Sequence, residues 1–284
     1  MMKRLKDRMI TYKKHPLSFA LFLLLCVAAV VTVGVLLSLI VYIVVMGLPH
    51  IKPSMFSFNY TTDNLSMMPA IINTIIITLL SLVIAVPFGV FSAIYLTEYA
   101  KRGNKFVNVV RVATETLSGI PSIVYGLFGM LFFVNFLDWG YSLLAGAATI
   151  SIMILPLIMR STEEALKSVP DSYREGSFGL GAGRLRTVFK IVLPSAMPGV
   201  LAGIILAVGR IVGETAALIY TAGTVTDMPK NLMSSGRTLS VHMYSLAREG
   251  LHIDEAYAAS VVLLIVVVLI NALSSFIAKK IRKV

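Results

Sequence analysis

The amino-acid sequence predicts an all-α integral membrane protein with six transmembrane helices and both termini in the cytoplasm. Three observations predict this. The 284-residue chain is 57% hydrophobic and only 14% charged, with a mean hydropathy of +0.86, which leaves too little polar surface to cover a soluble domain of this length. Six long apolar runs stand at 17–46, 70–97, 112–137, 143–159, 197–222 and 256–278. The Lys and Arg residues between the runs are sharply unequal on alternate sides, twenty on one and four on the other, and such an excess marks the cytoplasmic side.

The first run follows six basic residues between Lys3 and Lys14. At about 30 residues it is too long for the apolar region of a signal peptide and reads as an uncleaved span. It contains Cys26, the one cysteine, which excludes an intramolecular disulfide and any multi-cysteine metal site. The second and third runs carry Pro87 and Pro121, each expected to kink its helix. The fourth run, 17 residues long, is marginal for a span of about 20. It carries Pro156 and leads through Ile158 and Met159 into Arg160, whose stem can snorkel to the interface. The fifth holds two G-x-x-x-G spacings, Gly199/Gly203 and Gly209/Gly213, a pattern that lets helix backbones approach closely. The sixth is uninterrupted and leads into a basic tail.

The net charge of +11 is therefore accounted for by topology, and a nucleic-acid partner is not needed. There is no soluble domain. Residues 1–67 form a basic segment, the first span and the first outer loop; 68–278 form a membrane core with a cytoplasmic loop at 160–196; 279–284 form the basic tail.

That cytoplasmic loop holds "SFGLGAGRLRTVFKIVLP". Its glycines and cations suggest a phosphate cradle, but the G-x-x-x-x-G-K-[ST] order is absent, and no βαβ unit surrounds them. Local signals fit a short helix better. Ser172-Tyr-Arg-Glu175 has the form of a capping box, and Gly181 is a plausible left-handed stop, giving a helix over about 173–180. A helix that short is marginal in water. Its Tyr173, Phe178 and Leu180 require a groove in a partner or the membrane lipid surface. Gly179 and Gly183 are expected to permit tight packing beside the turn.

Charge also falls inside the fifth run. Arg210 lies near its middle, with Glu214 four residues on, where the two can meet on one helix face. A centred arginine costs about 2.5–3.5 kcal/mol to insert. The pair either locks the span against its neighbours or supplies a switchable cation for an anionic substrate, because a guanidinium fork suits phosphate oxygens. Ser118 and Ser122 in the third run either line a path or pack helices. The four histidines fall in separate regions outside the runs, so no hydrolytic or metal-binding constellation supports an enzyme.

The loop resembles that of the membrane subunits of ATP-driven importers, written E-A-A, three residues, G, nine residues, I-x-L-P. Here Glu175-Gly176-Ser177 is followed after three residues by Gly181 and after nine more by Ile191-Val192-Leu193-Pro194. It departs at the two alanines, replaced by the small Gly176 and Ser177. The resemblance implies type I ABC importer permease architecture. It also implies that the short helix is a coupling helix docked on a separate ATPase dimer through Tyr173, Glu175, Ser177, Phe178, Gly181, Leu193 and Pro194. "LSGIPSIVYGLFG", "ILPLIMRSTEEALKSVP" and "GRIVGETAALI" resemble the phosphate (Pst) branch of that family. The R-S-T-E-E-A-L form at 160–166 and "TLSVHMYSLAREGL" are most like PstA.

That resemblance implies a subunit of an inner-membrane phosphate importer without catalytic chemistry of its own. Arg210, Glu214 and Arg160 would serve phosphate passage, and Arg160 equally fits simple snorkelling. The implied partners are the ATPase dimer, where ATP and Mg belong, a second PstC-like permease and an extracytoplasmic phosphate-binding protein. This chain itself is expected to bind no cofactor. From the residues alone, another oxyanion (sulfate, molybdate or tungstate) remains an alternative, as does a secondary transporter outside the ATP-driven class.

Overall fold

The computed structural model describes residues 16–101 and 103–281, and every regular element among them is helical. The basic residues Lys3 to Lys14, Arg102, Arg282 and Lys283, which contribute to the topology count, lie outside the described residues. Among the described residues five helices are long and apolar enough to cross a membrane, and a bent helix pair, counted as one span, brings the number to six.

Helix α1 (Pro16–Gly47) exposes its apolar side chains along almost its whole length. Its main neighbour is α11 (Ile253–Ile281), where the Tyr42 and Tyr257 rings meet edge to face at 5.8 Å. Helix α2 (Met68–Ile94) accommodates Pro87 without ending and closes in a π turn, Tyr95–Tyr99.

The third run is not one rod. It divides into α3 (Lys105–Ser118) and α4 (Ser122–Gly129), the latter continuing as a π segment, Met130–Phe136, and the two parts are bent by 103°. The break at 119–121 contains Pro121, which removes a backbone donor. The Tyr125 hydroxyl donates to the Leu117 carbonyl at 2.7 Å, fixing the corner. Helix α3 begins at Lys105, capped by the Asn104 side chain, so it starts well before the apolar run.

Helix α5 (Leu143–Lys167) starts where Ser142 Oγ accepts from the Ala145 amide at 3.2 Å. It does not stop at Met159 as the apolar run does. R-S-T-E-E-A-L-K is composed largely of good helix formers, and Arg160–Glu164 (3.1 Å) and Glu163–Lys167 (2.7 Å) pair across successive turns. Arg160 is therefore inside a helix and not at its end. Helix α5 is the most buried of the spans. Its Ile150, Ile154 and Ile158 pack in one core with Ile77 and Ala85 of α2. Ala207 and Ile211 of α8 (Leu193–Val212) complete that core.

Between α5 and α8 lie α6 (Asp171–Gly179), α7 (Arg184–Thr187) and a π turn, Val188–Val192, that runs directly into α8. Helix α8 begins before the fifth apolar run and ends at Val212; a single turn, α9 (Ala216–Ile219), follows and packs on α4. Of the two glycine spacings, one is a close approach. A Cβ at Gly199 would come within 2.6 Å of the Ala165 side chain, and one at Gly203 would overlap Ser161. At Gly209 the nearest atom lies 4.0 Å away, so that spacing is not a helix contact.

On the outer side, the first loop packs onto α10 (Leu239–Glu249) and α11, with Met55, Leu65 and Met67 against Leu239, Leu246 and Ala259. Arg237 stands over the Tyr60 ring at 4.9 Å, and burial lowers its guanidinium below the usual arginine value. His242, fully buried, is held down to a pKa of about 3 by burial and by Arg237.

Candidate functional site

Side chains of α3, α5 and α8 line an open cavity of about 550 Å³. Its wall carries four cations, Arg111, Arg160, Lys167 and Arg210, and three carboxylates, Glu115, Glu163 and Glu164. Most of these charges are paired. Glu163, little exposed, receives both Arg111 and Lys167 at 2.7 Å, and Glu164 receives Arg160. Arg210 and Glu115 form none of the ion pairs among the described residues. The result is a polar recess with one cation and one carboxylate left available, the others holding one another in place. Such a wall can accept an anion and, at the same time, a hydrogen-bond donor on that anion.

The expected Arg210–Glu214 pair is not formed. Helix α8 ends at Val212, and Gly213 turns the chain, so the i, i+4 face does not reach Glu214. Glu214 is buried instead, its Oε1 accepting from the Ala217 amide at 3.1 Å, while its carbonyl accepts from Ser240 at 2.6 Å. It fixes the turn between α8, α9 and α10. Ser118 lines the cavity with its hydroxyl directed to the Glu115 carbonyl at 2.7 Å, whereas Ser122 is not among the lining residues.

The loop at 160–196 is organised differently from the capping-box reading. Helix α6 starts at Asp171, after Pro170, without a side-chain cap, so Ser172 does not cap it. Its end matches expectation. Gly181 has φ +81°, the Ala182 amide donates to the Ser177 carbonyl at 3.1 Å, and the Gly181 amide donates to Phe178 at 2.9 Å; these are the two bonds of a Schellman stop. Ser177 is buried, bonded to the Thr187 hydroxyl at 2.8 Å. Tyr173, Glu175, Phe178 and Leu180 are exposed, Leu180 by 91%. Leu193 is half-buried and Pro194 exposed at the start of α8. Among the described residues no other side chain or element lies within 4 Å of a Cβ at Gly176, Gly179 or Gly183, so these glycines make no packing contact there.

Comparison with known proteins decides the class. The family described as binding-protein-dependent transport system inner membrane component matches residues 85–283. This chain belongs to that family.

The permease is 35% identical over 278 residues to the probable ABC transporter permease protein YqgI of Bacillus subtilis (strain 168), covering 90% of this chain and 92% of that one. It is 38% identical over 216 residues to phosphate transport system permease protein PstA 2 of Mycobacterium bovis, covering 72% and 71%. Among solved structures it is similar to a bacterial alginate ABC transporter, with TM-score 0.69 at 17% identity over 96% of this chain and 98% of that one. It is also similar to the MetNI methionine ABC transporter, with TM-score 0.58 at 22% identity over 75% and 93%. These likenesses give the permease a type I ABC importer fold. Membership of the family implies a separate ATPase and a substrate-binding protein as partners.

Two groups of this permease had no signal in the linear pattern. Arg111, Glu163 and Lys167 join α3 to α5, and Arg174 reaches Glu98, 76 positions away. The one local hint was the i, i+4 spacing of Glu163 and Lys167.

Proposed function

We propose that this permease moves inorganic phosphate inward across the cytoplasmic membrane and performs no chemistry itself. The observation that carries the reading is that Arg210 and Glu115 line one cavity and enter no ion pair among the described residues. Arg210 offers a planar fork to phosphate oxygens. Glu115 accepts a hydrogen bond from the O–H that hydrogenphosphate retains near neutral pH and repels sulfate, which retains none. The relatives named as phosphate permeases support the same substrate. Arg160, paired to Glu164, is a second cation that an incoming anion can draw away from its carboxylate.

The exposed Tyr173 and Phe178 on α6, with Leu180 just after it, form the surface that docks on the ATPase dimer, in which ATP and Mg are bound. A second, PstC-like permease supplies the opposite wall of the open cavity, and an extracytoplasmic phosphate-binding protein delivers the anion. Ser118 is a further contact at the cavity wall; Glu214 acts by holding the end of α8 in position.

The test is reconstitution of the permease with its partners and uptake of radiolabelled phosphate, with sulfate, molybdate and tungstate as competitors. Arg210→Gln is expected to abolish uptake while the complex still assembles. Uptake at the parent level in that variant would remove Arg210 from the path. Equal competition by sulfate would remove the phosphate assignment.

A further inference from the structure

The coupling helix is joined to the membrane helices by one guanidinium. Nε of Arg174 donates to both oxygens of Glu98, at 3.2 and 3.3 Å. Nη2 donates to Glu98 Oε1 at 2.7 Å and to the Leu166 carbonyl at 2.9 Å. Nη1 donates to the Val169 carbonyl at 2.8 Å and to Asp171 at 3.2 Å. An arginine has five N–H donors, and this arrangement occupies them all. Glu98 belongs to the π turn that closes α2, and Leu166 and Val169 stand at the C-terminal end of α5, where a helix runs out of its own donors.

Three elements thus meet at a single side chain, with little exposure on either side of the ion pair (15% for Arg174, 9% for Glu98). The Glu98 hydrogen bond raises the Arg174 pKa above its ordinary value. The Ser177–Thr187 bond ties α6 onward to α7. Among the described residues no other side-chain hydrogen bond or ion pair joins α6 to α2 or α5. A nine-residue helix is too short to hold its place alone. A shielded, fully bonded arginine–carboxylate pair resists separation, because either partner left alone keeps an uncompensated charge. Displacement of α6 must therefore carry the ends of α2 and α5 with it.

We propose that Arg174 is the positioning residue through which α6 drives α2 and α5. From α5 the movement reaches Arg160, six residues before Leu166 and about 9 Å along the helix. The proposal rests on the reading of α6 as the ATPase-docking element. The experiment measures phosphate moved per ATP hydrolysed by the whole importer in proteoliposomes, with ATPase retention as a second readout. In Arg174→Gln and Glu98→Gln the ATPase is expected to remain bound while the ratio falls about tenfold or more, the scale of breaking a shielded pair. Arg174→Lys, which keeps the charge but not the fork, is expected to fall between. An unchanged ratio in Arg174→Gln overturns the proposal.

A second arrangement guards against simple misfolding. Arg174→Cys with Glu98→Cys, in a Cys26→Ala background, is bridged by a bifunctional thiol reagent. A rise in the ratio on bridging supports the joint; no rise overturns it. Leu180→Asp separates the two readings. If that variant retains the ATPase, α6 is not the docking element, and the underlying reading fails independently of Arg174.

Discussion

Two glycines of α8 given the same substitution should respond with opposite signs. Alanine is favoured over glycine inside a helix by about 0.8–1.0 kcal/mol, and that gain is common to Gly203→Ala and Gly209→Ala. At Gly209 the new methyl meets nothing closer than Asn271 at 4.0 Å, so the gain stands. At Gly203 it overlaps both Cβ and Oγ of Ser161 on α5, and pushing two packed helices apart costs about 1–3 kcal/mol. The difference between the variants is therefore about 1–3 kcal/mol. At about 2–4 °C per kcal/mol for a chain of this order of size, Gly203→Ala should melt about 2–12 °C below Gly209→Ala in detergent. Ser161→Gly in the Gly203→Ala background removes the obstacle and should recover most of the loss. A Gly203→Ala midpoint equal to or above that of Gly209→Ala refutes the claim that α5 and α8 meet through this glycine.

Leu180→Asp should weaken binding of the purified permease to its ATPase by about 2 kcal/mol, roughly thirtyfold, the scale of a central apolar anchor; a binding titration in detergent reads it. Gly181→Ala forces a side chain into the left-handed region and should cost about 1–2 kcal/mol, seen as faster amide exchange across 171–187 with the membrane spans unaffected. His242 is neutral in the folded permease because its pKa is lowered to about 3. Its stabilising contribution is intact above the unfolded value near 6.5 and is lost as pH falls from there toward 3, by about 1.4 kcal/mol per unit. The thermal midpoint should decline between pH 6.5 and pH 5, and His242→Phe should flatten that decline.

The six apolar runs were legible because crossing a bilayer is a matter of length and hydropathy, which composition carries directly. Pro121 was visible as a kink, but its 103° size depends on where the Tyr125 hydroxyl lands eight residues earlier, which spacing does not encode. Arg210 was found because a charge in an apolar run stands out. Its partner was misassigned because periodicity assumes the helix continues, whereas Gly213 ends it. Gly181 was legible because a left-handed stop is a local demand. Arg174 was not, since its meaning lies in Glu98 and the end of α5, both brought to it by the fold. The same holds for the Arg111–Glu163 pair across α3 and α5.

The π turn at Val188–Val192 has a consequence for timing around the helix axis. A π turn holds one residue more than an α turn, and each residue advances a helix by about 100°. The turn therefore sets the angular phase between the docking segment and everything in α8. Deleting one residue within it would restore an α turn and keep that phase, whereas deleting one residue at 193–196, with every residue of 197–222 in place, would rotate Arg210 by about 100° away from the cavity. The side chain's identity would survive, but its direction would not.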